Sequence, residues 1–101
     1  MKTVVLYGFE GEFVGGNEYD YNHPELHHVH KCLLFLAQDS EHPDFEFATT
    51  ECSKFGFANL KNLTGKPLKV DVLNTDKFSG FAGFYEEALN EGSSIVYYPN
   101  T

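Results

Sequence analysis

Four of the five histidines fall within eight residues, at His23, His27, His28 and His30. His23, His27 and His30 follow i, i+4, i+7 spacing, so a helix beginning at His23 would bring three imidazoles to one face. Such a face could bind zinc or another divalent ion, with the fourth position left to water or a distant carboxylate. The run His23-Pro24-Glu25-Leu26-His27 falls short of the His-Glu-x-x-His metalloprotease pattern. Its acid is one place out of register, and Pro24 stands where the general base belongs. Pro24 also biases His23 towards an extended backbone. The plainer expectation is a row of polar residues along a helix edge, with a metal site at His23, His27 and His30 as the lesser alternative.

His28 and Cys32 are also four apart, the spacing of an imidazole that could activate a thiolate. Cys32, however, opens the apolar run Cys32-Leu33-Leu34-Phe35-Leu36. Burial there would raise the thiol pKa and leave it inert. The acid pairs Glu10 with Glu12, Glu18 with Asp20 and Glu86 with Glu87 could supply general acid and base, but nothing in their spacing selects one pair. Phosphate-cradling motifs are missing: there is no G-x-G-x-x-G and no G-x-x-x-x-G-K-[ST]. Gly80-Phe81-Ala82-Gly83 has the GxxG spacing of a KH-type RNA clamp, yet it overlaps a Phe-rich helical stripe. No catalytic residue and no cofactor are expected.

The stretch from residue 10 to 22 stands out instead. It combines Glu10, Glu12, Phe13, Glu18, Tyr19, Asp20 and Tyr21 with the turn residues Gly11, Gly15, Gly16 and Asn17. Aromatic side chains bring contact area at little rotamer cost, while carboxylates steer a basic partner. Long loops of this kind often carry function. In this the chain is similar in type to toxin-neutralising immunity proteins and other small acidic inhibitors, without a shared motif.

These residues must be positioned by a single domain spanning 1–101, since 101 residues leave no room for two. The chain holds 15 acids, seven Lys and no Arg, for a net charge of −8. Phosphate binding needs a positive surface, and base reading leans on Arg, so nucleic acid is excluded as a partner. Charge is also uneven. Residues 1–46 carry nine acids and two Lys, whereas residues 47–77 carry three acids and five Lys. Two cysteines are too few for a disulfide scaffold. No apolar run approaches the roughly 20 residues of a membrane helix, and Met1–Tyr7 lacks the long apolar segment of a secretory leader. No membrane association and a cytoplasmic location are therefore expected.

Ten Phe and six Tyr provide the bulk for a core. The pattern predicts strands at 2–9, 44–49 and 68–73, with a weaker extended run at 57–63 and a last strand at 94–98. It predicts helices over 22–38 and roughly 76–91, the second starting near Gly83 and closed by Gly92, with a helical turn at 50–55. The order β-α-β-(α)-β-α-β points to an α+β two-layer sandwich with a mixed or antiparallel sheet of four to five strands. Both main helices then lie on one face, in a ferredoxin-like arrangement. The first helix would be apolar nearly all round, and such helices are usually covered twice. His28, Cys32 and Phe35 on its outer side are thus expected to form a homodimer interface.

The reading that follows is an acidic protein-interaction module, homodimeric, binding a basic protein. The alternative is a small cofactor-free or metal-assisted enzyme of the dimeric α+β-barrel kind. It would act on an apolar small molecule, with His27, His28 or His30 as proton carrier.

Overall fold

Alternation of large apolar residues carries the first strand further than its turn residues suggest. In the computed structural model, which describes residues 2–69 and 79–98, β1 runs Thr3–Phe13 and β2 runs Val29–Gln38. Helix α1 spans Phe45–Lys54, β3 spans Phe57–Pro67, and a 3-10 turn at Ser79–Phe81 leads into α2, Ala82–Glu91. Strand β4, Ser93–Tyr98, completes a four-stranded sheet of order β3-β1-β2-β4. Every pairing is antiparallel. The chain is thus a small α+β domain.

The helix expected over 22–38 is not formed. Residues 29–38 are the central strand β2, paired with β1 on one side and β4 on the other. Its Leu-rich run is apolar on both faces because both faces of the sheet are covered, which is what a doubly buried strand requires. Cys32, Leu34 and Leu36 enter one core with Val5, Tyr7, Phe9, Phe13, Ala48, Cys52 and Phe57. Phe35 enters the other, with Val4, Leu6, Leu68 and Ala88. Helix α1 covers the first face and α2 the second, so the helices flank the sheet instead of sharing one side. Because β1 and β2 are direct antiparallel neighbours, the split βαβ order is not adopted.

These facts remove the expected dimer surface. Cys32 is 2% exposed and Phe35 0%, and they point to opposite faces of the sheet. Phe35 stacks on Phe84 at 5.6 Å between centroids and meets Phe81 edge-on at 5.6 Å. Burying such a ring contributes about 2–3 kcal/mol. His28 remains exposed, 3.7 Å from Glu25.

Strand 44–49 is likewise replaced, by α1. Asp44 caps it, accepting from the Phe47 amide at 3.1 Å. Ala48 and Cys52, one turn apart, face the core, while Phe45 and Phe47 lie outside at 46% and 40% exposure. Gly56, at φ +91°, ends the helix and turns the chain into β3. The strand expected at 68–73 falls largely outside the described residues. Helix α2 does begin beside Gly83 and closes at Gly92, whose amide bonds the Ala88 carbonyl at 2.8 Å.

Candidate functional site

Residues 14–28 are the longest connection among the described residues, and backbone bonds hold their first half in place. The Val14 amide donates to the Gly56 carbonyl at 2.8 Å, and the Glu18 and Tyr19 amides donate to the Lys54 carbonyl at 2.8 and 3.3 Å. The loop therefore lies over the end of α1. Tyr19 and Tyr21 pack against the first core, with Phe55 ring centroids 4.7 and 5.3 Å away respectively.

Polar anchors fix both tyrosines. The Tyr21 hydroxyl donates to the Phe55 carbonyl at 2.5 Å, and burial pushes its pKa well above the usual phenol range. The Tyr19 hydroxyl donates to Glu51 Oε2 at 2.9 Å, as does Ser93 Oγ at 3.0 Å. Lys54 Nζ lies 3.4 Å from Glu51 Oε1. Glu51 is 6% exposed, so this carboxylate pins the loop, α1 and the start of β4 together. Burial, then the Glu51 bond, raise the Tyr19 pKa; the Glu51 carboxylate raises that of Lys54.

Two contiguous grooves open beside this anchor, sharing Tyr21 and Glu87. The first, about 410 Å³, lies between Glu18, Asp20 and Tyr21 of the loop and Glu87 and Glu91 of α2. The second, about 420 Å³, continues past Asn22 and Phe84 along Ile95, Val96 and Tyr97. Four carboxylates line the pair, and no Lys does. The acids stand on aromatic walls, an arrangement that attracts cationic, partly apolar chains.

The seven residues expected to form one partner-binding loop divide. Glu18, Tyr19, Asp20 and Tyr21 meet at the groove. Glu10, Glu12 and Phe13 belong to β1. Phe13 is 1% exposed in the core, while Glu12 and Glu10 face β3, near Asn59 and Asn62 at 3.2 and 3.4 Å. Glu87, which the sequence offers only as half of an acid pair with Glu86, and Glu91 belong to α2, and only the topology places them beside the loop.

His28 and His30 stack with ring centroids 6.2 Å apart, but the expected trio of His23, His27 and His30 is dispersed. His23 stacks on Phe13 at 4.8 Å, and His27 lies 3.4 Å from Glu12 with a positive φ of 67°. His30 is buried at 6% exposure, its Nδ1 3.2 Å from the Tyr98 carbonyl oxygen. With no helix over 23–30 the imidazoles lose their common face. Among the described residues no group of three His, Cys, Asp or Glu is gathered so as to hold a metal ion. Among the described residues, grooves of about 280 to 590 Å³ are lined by residues other than His27, His28 and His30. Cys32 and Cys52 are buried free thiols, and burial pushes each up to about 12.

No helix among the described residues is long and apolar enough to cross a membrane. Comparison with protein-family models, curated proteins and solved structures finds no match for this chain, so its function must be argued from its own residues.

Proposed function

We propose that this chain is a protein-interaction module that binds a basic protein through the groove between residues 18–22 and α2. The observation that carries this reading is the convergence of Glu18, Asp20, Glu87 and Glu91 around Tyr19 and Tyr21 with no cation in the lining. Exposed carboxylates held on a rigid floor raise the encounter rate of a positive partner, and half-buried aromatics supply the contact that retains it. The anchoring of Tyr19 and Tyr21 by Glu51 and the Phe55 carbonyl lowers the ordering cost of binding. A reducing compartment such as the cytoplasm suits the two unpaired thiols.

Poly-L-lysine of about 20 residues is a suitable first probe, titrated by calorimetry at low and high salt. Binding that weakens with salt, and weakens further in the Asp20→Asn/Glu87→Gln double variant, is expected. No binding at low salt, or equal binding to the double variant, would exclude the groove as a basic-partner site.

A further inference from the structure

The two outer strands of the sheet are treated very differently. Strand β3 carries two register shifts against β1, left-handed backbone at Asn59 and Asn62, and the charged or rigid residues Lys61, Lys66 and Pro67. These are the devices by which an edge is made unfit for pairing. Strand β4, Ser-Ser-Ile-Val-Tyr-Tyr, has none of them: it holds one unbroken register with β2 from Ser93 to Tyr98 and carries no charge or proline.

Which β4 groups face outward follows from the ladder. Ala37 N–H bonds the Gly92 carbonyl at 2.9 Å, and that pair continues the β2–β4 register. Hydrogen-bonded and non-hydrogen-bonded pairs alternate in antiparallel sheets. Ser94 and Val96 therefore turn their backbone groups to β2, while Ser93, Ile95 and Tyr97 turn theirs away from the sheet. Among the described residues no strand pairs with that side. Ile95 and Tyr97 instead line the groove whose walls are Tyr21, Phe84 and Glu87.

We infer that the groove accepts an extended basic segment as a fifth strand on β4, bonded to the backbone of Ser93, Ile95 and Tyr97. This inference rests on the proposed basic-partner reading and specifies how the partner is held. Main-chain bonds would supply affinity and alternate side chains specificity, the mode of β-strand addition. From Ser93 to Tyr97 the edge spans about 13 Å, room for roughly five paired residues. Lys or Arg at alternate positions would reach Asp20 and Glu18 on one wall or Glu87 and Glu91 on the other.

A second copy of this chain is the less suitable occupant. Pairing β4 with β4 would bring Glu18, Asp20, Glu87 and Glu91 against the same acids of the other copy. Pairing β4 with β3 would meet a bulged strand in a head-to-tail contact.

The probe is the capped peptide Lys-Val-Lys-Val-Lys-Val-Lys, compared with its counterpart N-methylated on the valines or, in a second version, on the alternate lysines. The two versions together block both hydrogen-bonding edges of the peptide backbone while leaving its charge unchanged. Binding is followed by amide NMR and calorimetry. The expected result is that one methylated version binds at least about ten-fold more weakly than the parent, and that the parent slows exchange of the Ile95 and Tyr97 amides.

Equal binding of all three peptides would overturn strand addition and leave the acidic groove intact as a site. Poly-L-lysine binding without binding of the parent peptide would do the same. Failure of both probes at low salt would overturn both readings. A dimer in sedimentation with the Ile95 and Tyr97 amides already protected would overturn the inference in favour of a second copy. Tyr97→Pro, which removes an outward N–H at an edge position, should lose peptide binding.

Discussion

The Tyr19 hydroxyl donates a 2.9 Å hydrogen bond to Glu51 across the junction of loop and α1, linking residues 32 apart in sequence. Glu51 is 6% exposed and receives Ser93 on the same oxygen, so one buried carboxylate adds to the backbone bonds and the Tyr21 anchor that hold the loop. Tyr19→Phe removes one donor and leaves Ser93 and Lys54 in place. A hydrogen bond to a charged group at this partly buried site is worth about 1.5 kcal/mol. The variant should lose about that much unfolding free energy in a urea titration. Exchange of the Glu18 and Tyr19 amides should quicken more than that of the β2 amides. Uniform quickening would mean the anchor is not local.

Phe35 separates two accounts of the β2 run. On a helix it would sit outside; on β2 it is wholly buried between Phe81 and Phe84. Phe35→Ala should therefore cost about 3–5 kcal/mol, a large share of the 5–15 kcal/mol that usually stabilises a domain. Chemical denaturation measures it directly. A variant of unchanged stability but altered sedimentation would restore the interface reading.

This residue also shows how far the sequence could be read. Cys32–Ala37 is an unbroken apolar run, and periodicity alone cannot separate a short helix covered all round from a strand covered on both faces. Leu-rich composition favoured the helix; pairing with two neighbouring strands overrode it. At 44–49, the alternation of Phe45 and Phe47 suggested a strand, although Ala48 and Cys52 at helical spacing mark the true buried stripe. Gly92 marks the end of α2 in the sequence as in the structure, whereas Asp44, the N-cap of α1, stands where the alternation of Phe45 and Phe47 starts the expected strand. Half of the candidate site was legible, since Glu18–Tyr21 are contiguous. Glu87 and Glu91 join them only through the fold.

Gly56 and Gly92 both hold positive φ, at +91° and +99°, but in different surroundings. A Cβ at Gly56 would stand 2.6 Å from Phe13 Cε1, whereas one at Gly92 meets nothing within 4 Å. Gly92→Ala should cost about 1–2 kcal/mol from backbone strain alone. Gly56→Ala adds the displacement of a core ring, for a total of about 2–4 kcal/mol. Equal losses in thermal unfolding would show that Phe13 yields without cost.

The thiols give a pH dependence of definite sign. Cys32 and Cys52 are raised from 9.0 to about 12 by burial, so the native state keeps protons that the unfolded state releases. Their contribution is complete below about pH 9 and is lost as pH rises towards about 12. Urea midpoints should fall across that window, and Cys52→Ala should make the fall shallower. At pH 8 a thiol reagent should leave both cysteines unmodified in native protein and modify both in urea. Rapid native modification would contradict their burial.

The groove acids should repel one another while the groove is empty. Glu18 and Asp20 face Glu87 and Glu91 across it, and like charges at an exposed site cost a few tenths of a kcal/mol each. Raising salt from about 10 mM to about 300 mM shortens the screening length from roughly 30 Å to below 8 Å, so the melting temperature should rise. Glu87→Gln should raise it by about 2 °C at low salt and by less at high salt. A neutral substitution far from the groove, Glu46→Gln, serves as control, because Glu46 lies in the first turn of α1, where its charge is favourable. Its removal should lower the melting temperature slightly. If both variants shift in the same direction, overall net charge rather than the groove sets the response, and the four carboxylates do not act on one another.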